Sequence, residues 1–324
     1  CPASSFEPSP EVLLVPFSCI LVYSLEPSPE VLQLPSAGSR VYSHKPPPEV
    51  LQLPSAGSRV YSLEPSTDVM QLPAAGSRVY PGAATLTVGG TRYSGVGMVR
   101  FLDRADGVAE QVVSVFPDVV CDGSDLRSDA RVRAWACGPG FTESDASTVE
   151  MVLSSDVPVV LDAGALRSLA TDSELRSECR RRAERGCTTV ITPHSGEFAL
   201  LAGGDSDAMT PQHLARELGV IVLRKGPGTT ITAPSGPSFI DTTGFPDLAC
   251  AGSGDVLSGL MAGMLAACRD QDPLVVVTAA VWLHGVAAQC AGRRQRPVVA
   301  TDVGDCLAEA IAAVRSGNLE VLRV

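Results

Sequence analysis

Two short segments set an ionisable side chain among small residues where a chain turns: "TPHSGE" (192–197) carries His194 and Glu197, and "AGSGDVLSGLM" (251–261) carries Asp255. Val256, Leu257, Leu260, Met261, Met264 and Leu265 recur at helical spacing, so Gly252-Ser253-Gly254-Asp255 is the first turn of a helix. A glycine-rich helix start leaves amide N–H groups free for an anion. An aspartate beside that anion site could take the proton from a hydroxyl that attacks a phosphoryl group. On the residues alone, a simple helix cap is the plainer account of Asp255.

A second group of residues has the same double character. "LRKGPGTTI" (223–231) brings Lys225 to the end of a strand and turns back through Gly226, Pro227, Gly228 and Thr229. Lys45 and Lys225 are the only lysines among 25 basic residues, which singles out this turn. The spacing is not that of a Walker loop. A hairpin turn accounts for it, and so does a loop that contacts a nucleotide. "ACGPGF" (136–141) is a tight turn or a place where backbone approaches a ligand closely. Glu197 suits the first turn of a helix. Asp162 ends the run "VVLD", a position open to function or to turn capping, and His284 lies in an apolar helix and reads as structural.

These residues need a frame to hold them. "VVLDAG" (159–164), "TTVITPH" (188–194), "GVIVLRKG" (219–226) and "TTITAP" (229–234) read as strands, alternating with helical stretches such as 171–186. The alternation predicts an α/β domain with a mostly parallel central sheet and helices on both faces, a three-layer α/β/α arrangement. In such sheets ligands sit beyond the carboxyl ends of the strands, where "TPHSGE", Lys225 and Asp255 fall. Gly259 and Gly263 allow another element to pack closely on the helix that follows Asp255.

Composition excludes several roles. With 324 residues, 45% apolar residues and a net charge of −11, the chain can bury a large core but offers no basic surface for a nucleic acid backbone. No apolar run is long enough to span a bilayer; the longest (274–288) contains His284 and reads as a buried helix. The run at 12–23 follows Glu7 and Glu11 without a basic flank, so it is not read as a signal segment. Ten cysteines show no CxxC spacing and no metal-ligand pattern, which fits reduced thiols in a cytoplasmic protein.

The N-terminus is a tandem repeat of 19 residues, at 6–24, 25–43, 44–62 and 63–81. Each copy holds one apolar run bounded by prolines, too little to offset its ordering entropy. Residues 1–62 are therefore expected to be disordered or loosely attached. Residues 63–324 are expected to form the domain, with the fourth copy supplying its working strand.

Taken in order, "YPGAATLTVGGTRYSGVGMVRF", "GPGF", "VVLDAGAL", "TPHSGE", "LRKGPGTTI", "AGSGDVLSG", "WLHGVAA" and "ATDVGDCLAEAI" give the chain a specific signature over about residues 66–315. It resembles the NAD(P)H-hydrate dehydratase family of the ribokinase-like fold. The resemblance implies a dehydration of the S epimer of hydrated NADH or NADPH, driven by ADP or ATP with Mg²⁺. It implies that Asp255 is the base, that Ala83, Gly140, His194 and Asp255 meet the hydrated dinucleotide, and that Lys225, Gly226, Pro227, Gly228, Thr229 and Gly254 meet the nucleotide. It also implies a homo-oligomer, commonly a tetramer, and a separate epimerase in the same pathway, whose domain is absent from this chain. No metal ligand is assigned. Two motifs depart from the family pattern: "DAD" reads Asp162-Ala163-Gly164, so the second acid is missing, and "GPGLG" reads "GPGFT", so the third glycine is lost at Thr142. The competing functions are a small-molecule kinase of the same fold acting on a vitamin-precursor alcohol, and a non-catalytic nucleotide-binding protein.

Overall fold

Apolar runs bounded by glycine, proline and polar residues become the strands of one large sheet. The computed structural model describes residues 11–15, 20–24, 31–33, 70–103, 105–122, 131–142, 145–204, 209–244, 246–294 and 296–315. In chain order the elements begin with β1 (Glu11–Val15), β2 (Ile20–Ser24), β3 (Val31–Gln33), β4 (Met70–Ala74), α1 (Pro81–Arg92), β5 (Met98–Leu102), α2 (Val108–Val115), β6 (Val120–Asp122) and β7 (Val132–Cys137). They continue with α3 (Ala146–Leu153), β8 (Val159–Leu161), α4 (Gly164–Thr171), α5 (Ser173–Glu184), β9 (Thr189–Ile191), α6 (Ser195–Leu201) and α7 (Pro211–Leu218). The last are β10 (Ile221–Arg224), β11 (Thr229–Thr232), β12 (Ser238–Asp241), α8 (Ser253–Ala267), α9 (Pro273–Gly292) and α10 (Ala300–Arg315).

The sheet runs β3-β12-β11-β10-β9-β8-β7-β4-β5-β6. Its pairs are parallel except β10–β11 and β11–β12, which are antiparallel. The turn after Lys225 is thus the hairpin connection that its glycines and proline suggest. Period-2 alternation assigns each strand residue to a face. Ala136, Val160 and Val190 stand in register across β7, β8 and β9 and enter the core made with α8, α9 and α10. Their neighbours Cys137, Leu161 and Ile191, also in register, enter the opposite core with α3 to α7. The three expected layers follow.

The fourth repeat supplies β4, in the middle of the sheet between β7 and β5. From the earlier repeats, β1 and β2 pair with each other and β3 pairs with β12. The third copy (44–62) and the other parts of residues 1–69 lie outside the described residues.

Glycines set how closely α8 can lie on α1. A Cβ on Gly259 would fall 1.9 Å from the Thr87 carbonyl oxygen, and one on Gly263 would fall 1.9 Å from Ser94 Oγ. On the α1 side, a Cβ on Gly90 would fall 2.1 Å from the Val256 carbonyl oxygen. Contrary to the expectation that no apolar run is long enough, α9 extends beyond 274–288 to 20 residues and is long and apolar enough to cross a membrane by length and composition; it is mostly buried in the core against α8 and α10. All eight cysteines among the described residues are free thiols, five of them buried.

Candidate active site

The site forms where β8, β9 and β10 end and α8 begins. Asp162 follows the last residue of β8 and is 1% exposed. Its Oδ1 accepts from Lys225 Nζ at 2.7 Å and from the Ala163 N–H at 2.9 Å, and its Oδ2 accepts from Ser258 Oγ at 2.7 Å. Lys225, one residue past β10, also donates its backbone N–H to the Pro193 carbonyl at 2.8 Å, which ties the end of β10 to the loop after β9. A Cβ on Gly254 would lie 3.3 Å from Lys225 Nζ and 3.8 Å from Asp162 Oδ2. Glycine at 254 thus lets the first turn of α8 settle closely on this ion pair.

Asp255 does not cap α8. The N-cap is Gly252 at φ 88°, no side chain caps the helix, and Asp255 stands in the first turn. A Cβ on Gly252 would fall 2.4 Å from Leu86 Cδ1. Left-handed backbone and close packing together require glycine there, so capping by a side chain is lost. Of the first-turn amides, Ser253 N–H donates to the Cys250 carbonyl at 3.3 Å and Asp255 N–H to the Gly252 carbonyl at 3.1 Å, which leaves the Gly254 N–H to an external acceptor and the Asp255 carboxyl to another task. Burial pushes its pKa up to about 7, and the Asp162 carboxylate pushes in the same direction against the pull of Lys225. A carboxyl poised near neutrality is suited to general-base work. For Asp162 itself burial opposes ionisation, but Lys225 and the hydroxyl donors outweigh it and hold the pKa below the usual value. Burial would also neutralise Lys225; Asp162 and Glu197 overcome that and keep it an ammonium.

A cavity of about 300 Å³ opens beside this cluster. Lys225, Gly226, Pro227, Thr229 and Gly254 line it, so the hairpin turn and the α8 start share one pocket. Gly228 is outside the lining, and so are Asp255, Ala83, Gly140 and His194; a Cβ on Gly228 would meet Ile240 Cγ2 at 3.3 Å. Leu248, Leu257 and Val281 add apolar surface to the lining, and Asp241, Thr242 and Ser253 add polar groups. His284 also lines the cavity, although its sequence context reads as structural. It is 2% exposed and its Nε2 has no hydrogen-bond partner. Burial pushes its pKa down to about 4, against a hydrogen bond to the Ser253 backbone, so the ring is neutral. An orphaned buried nitrogen, an apolar wall, a lysine and a helix N-terminus fit the base, ribose and phosphates of a nucleotide. Among the described residues no three His, Cys, Asp or Glu side chains converge as a metal cage. Mg²⁺ commonly binds through phosphates with one or two carboxylates, and no protein ligand is assigned to it.

Ala83 and Gly140 adjoin each other: a Cβ on Gly140, at φ 71°, would fall 2.7 Å from Ala83 Cβ. The same loop reaches the cluster through Gly138, whose Cβ would fall 2.0 Å from the Asp162 carbonyl oxygen. His194 is the N-cap of α6. Its Nδ1 accepts from the Gly196 and Glu197 N–H groups, and Glu197 accepts in return from the His194 N–H, a reciprocal capping box. Its ring is 59% exposed and beside the Pro193–Lys225 link. Sequence motifs do not single out Ser258, although its place three residues after Asp255 puts both on one helix face.

A family model described as NAD(P)H-hydrate dehydratase matches residues 74–309. The bifunctional NAD(P)H-hydrate repair enzyme Nnr of Mycobacterium tuberculosis is 39% identical over 191 residues, 57% of this chain and 38% of that protein. The chain thus spans well under half the length of these bifunctional relatives. The ADP-dependent (S)-NAD(P)H-hydrate dehydratase of Bacillus subtilis is 35% identical over 223 residues, 64% of this chain and 76% of that protein. The solved ADP/ATP-dependent NAD(P)H-hydrate dehydratase of B. subtilis, co-crystallised with ATP and Mg²⁺, superposes with a TM-score of 0.64 at 32% identity, covering 76% of this chain and 90% of that one. With its ribokinase-like layers and a site at the strand ends, this chain belongs to the NAD(P)H-hydrate dehydratase family.

Proposed function

We propose that this protein dehydrates the S epimer of hydrated NADH or NADPH at the expense of an adenine nucleotide, with ADP converted to AMP. The observation that carries the reading is the meeting of Lys225, Gly254 and the uncapped start of α8 at one cavity, with the half-buried Asp255 carboxyl in the same helical turn. Asp255 takes the proton of the ring hydroxyl as its oxygen attacks the terminal phosphorus, and AMP leaves. The Gly254 N–H at the start of α8 and the Lys225 ammonium hold the charge that builds on the transferred group. The phosphorylated ring then expels phosphate and loses a proton from the adjacent carbon, which restores the double bond. Mg²⁺, when bound, neutralises charge on the nucleotide phosphates.

Lys225, Gly226, Pro227, Thr229 and Gly254 bind the nucleotide in this reading. Ala83, Gly140 and His194 bind the hydrated dinucleotide. Residues 63–324 are the working domain, and residues 1–62 are an attached repeat segment whose deletion leaves turnover intact. The free cysteines suit a reducing cytoplasm. A homo-oligomer and a separate epimerase complete the proposal; the bifunctional name of the mycobacterial relative supports the link to an epimerase.

The test is incubation with hydrated NADH, ADP and Mg²⁺. Recovery of the dihydronicotinamide absorbance with stoichiometric AMP and phosphate supports the reading. A stable phosphorylated alcohol would instead identify a kinase, and binding without turnover would identify a nucleotide-binding protein.

A further inference from the structure

Asp162 is a carboxylate taken almost wholly out of water, and an isolated buried charge is strongly disfavoured. Its two side-chain partners lie in different parts of the site. Lys225 is 63 residues away in sequence and belongs to the strand that precedes the hairpin turn; Ser258 is 96 residues away and belongs to α8. One carboxylate therefore joins the ends of β8 and β10 to the helix that carries Asp255. The residue after it, Ala163, sits at φ 47°, the one non-glycine residue with positive φ among those described. Strain of this kind persists where the surroundings over-determine it, and it clusters at working sites. A cluster built for stability alone would do as well with apolar side chains of similar volume.

We propose that Asp162 is a positioning residue for phosphoryl transfer: bridged to Ser258, it holds the Lys225 ammonium under Gly254 at the start of α8. Asp162 touches no reacting atom. Lysine is a point charge on a flexible stem and needs a fixed partner to present that charge at one place. Ser258, one turn beyond Asp255 on the same helix, locks the second oxygen and so keeps the clamp in register with the base. The second effect is electrostatic. The charged groups acting on Asp255 are Asp162 from the end of β8 and Lys225 from the end of β10, while Glu197 from α6 acts on Lys225. Removing the Asp162 charge leaves Lys225 to stabilise the Asp255 carboxylate without opposition.

This inference rests on the dehydratase reading and adds a residue to it. The test compares the full-length wild type with Asp162→Asn, Asp162→Glu and Ser258→Ala, measuring ADP affinity by calorimetry and kcat/KM against pH. For Asp162→Asn the expected result is ADP binding weakened about tenfold or more, from a mispositioned charge. Its acid limb moves about one pH unit lower, because a repelling charge is gone. Asp162→Glu restores part of both effects, and Ser258→Ala gives smaller changes in the same directions. Unchanged ADP affinity together with an unmoved acid limb, with only thermal stability lowered, overturns the proposal. If Asp162→Asn does not fold, Ser258→Ala decides by the same criteria. Failure of the wild type to turn over hydrated NADH would overturn the dehydratase reading instead, and the ADP affinities would still decide the role of Asp162.

Discussion

Gly164 and Phe141 share one space: a Cβ at 164 would lie 2.5 Å from Phe141 Cβ and 2.6 Å from the Phe141 carbonyl oxygen. The two motifs that depart from the family pattern, at Phe141-Thr142 and at Gly164, thus meet at this point. Phe141 is 3% exposed in the core under α3 and α4, and its bulk sits where a side chain at 164 would start. The two departures are one adjustment of the loop that flanks Asp162.

Restoring the family acid should therefore harm the protein. Gly164→Ala and Gly164→Asp both place a Cβ against backbone that cannot move cheaply, at a cost of about 1–3 kcal/mol. Both variants should melt roughly 2–12 °C lower, since each kcal/mol lowers Tm by a few degrees in a domain of this size. Gly164→Asp should also lose activity, because the Gly164 N–H bonds to Gly138 in the loop packed on Asp162. Phe141→Leu should not rescue either variant: the clashing atoms are Cβ and a carbonyl oxygen, which leucine keeps. Melting curves of the single and double variants check this, and a more active Gly164→Asp would refute it.

Asp255→Asn separates chemistry from stability. Loss of the base should lower kcat by about 10²–10⁴-fold. The folded-state pKa of Asp255 is raised from the ordinary 3.8 to about 7, so the folded protein holds this proton better than the unfolded chain does. That stabilisation is complete below about pH 3.8 and disappears as pH rises through about 7. Above neutrality the carboxylate is an unfavourable buried charge, costing on the order of a few kcal/mol, since each tenfold change in proton affinity corresponds to about 1.4 kcal/mol. The amide removes that cost. Asp255→Asn should melt higher than the wild type at alkaline pH and show the smallest difference under acid conditions. In the wild type, kcat/KM should fall as pH drops below about 7. A variant that melts lower at every pH would return Asp255 to a structural role.

The frame of this site is legible in the sequence because its signals are local. "VVLD", "TTVIT" and "VIVLR" each bound a strand by glycine, proline or a helix start, and each proves to be a sheet strand with the expected loop beyond it. Gly259 and Gly263 announce close helix packing by their spacing alone. The function of Gly252 in excluding a cap is less visible, because the atoms that a side chain there would meet belong to Leu86 and Ala300, far along the chain. The Ser258–Asp162–Lys225 bridge has no local signature. Its members lie on three elements, and only the sheet order brings them together. His284 misleads for the same reason. A histidine inside an apolar helix resembles a core residue until the cavity beside Ser253 and Leu257 is seen.

Arg182 is a buried charge with a purely structural part, and it makes a control for the site variants. It is fully buried on α5, and its guanidinium donates to Thr189 Oγ1 at 2.9 Å, to the Leu153 carbonyl at 3.0 Å, to the Val157 carbonyl at 2.7 Å, to the Thr188 carbonyl at 3.1 Å and to the Ser155 carbonyl. It thereby satisfies the end of α3 and the starts of β8 and β9 with one side chain. Arg182→Met fills similar space and leaves those carbonyls without donors, each worth about 1–3 kcal/mol when buried. Tm should fall sharply. At a temperature where the variant is folded, the KM for ADP and the acid limb should match the wild type, because the side chain is at the opposite ends of the strands. A selective change in nucleotide KM would contradict that division.

His284→Leu tests what the buried ring beside Ser253 contributes to the cavity. The neutral ring keeps an unpartnered Nε2 in a cavity that it lines with Leu257, Val281, Asp241 and Ser253, and a buried polar atom without a partner costs stability. Leucine removes the orphan at similar volume but also the bond to the Ser253 backbone, so the two effects oppose and thermal stability in the absence of nucleotide should change little. If Nε2 accepts from the amine of adenine, ADP binding should weaken about tenfold, the value of one buried hydrogen bond at roughly 1.4 kcal/mol. Nucleotides whose base lacks that amine should bind wild type and variant alike. With a ring pKa of about 4, the wild-type preference for adenine should not change between pH 6 and pH 9 on account of this residue. Calorimetry with ADP and with IDP on both proteins measures the difference directly. Equal losses for the two nucleotides would mean that His284 shapes the pocket without reading the base.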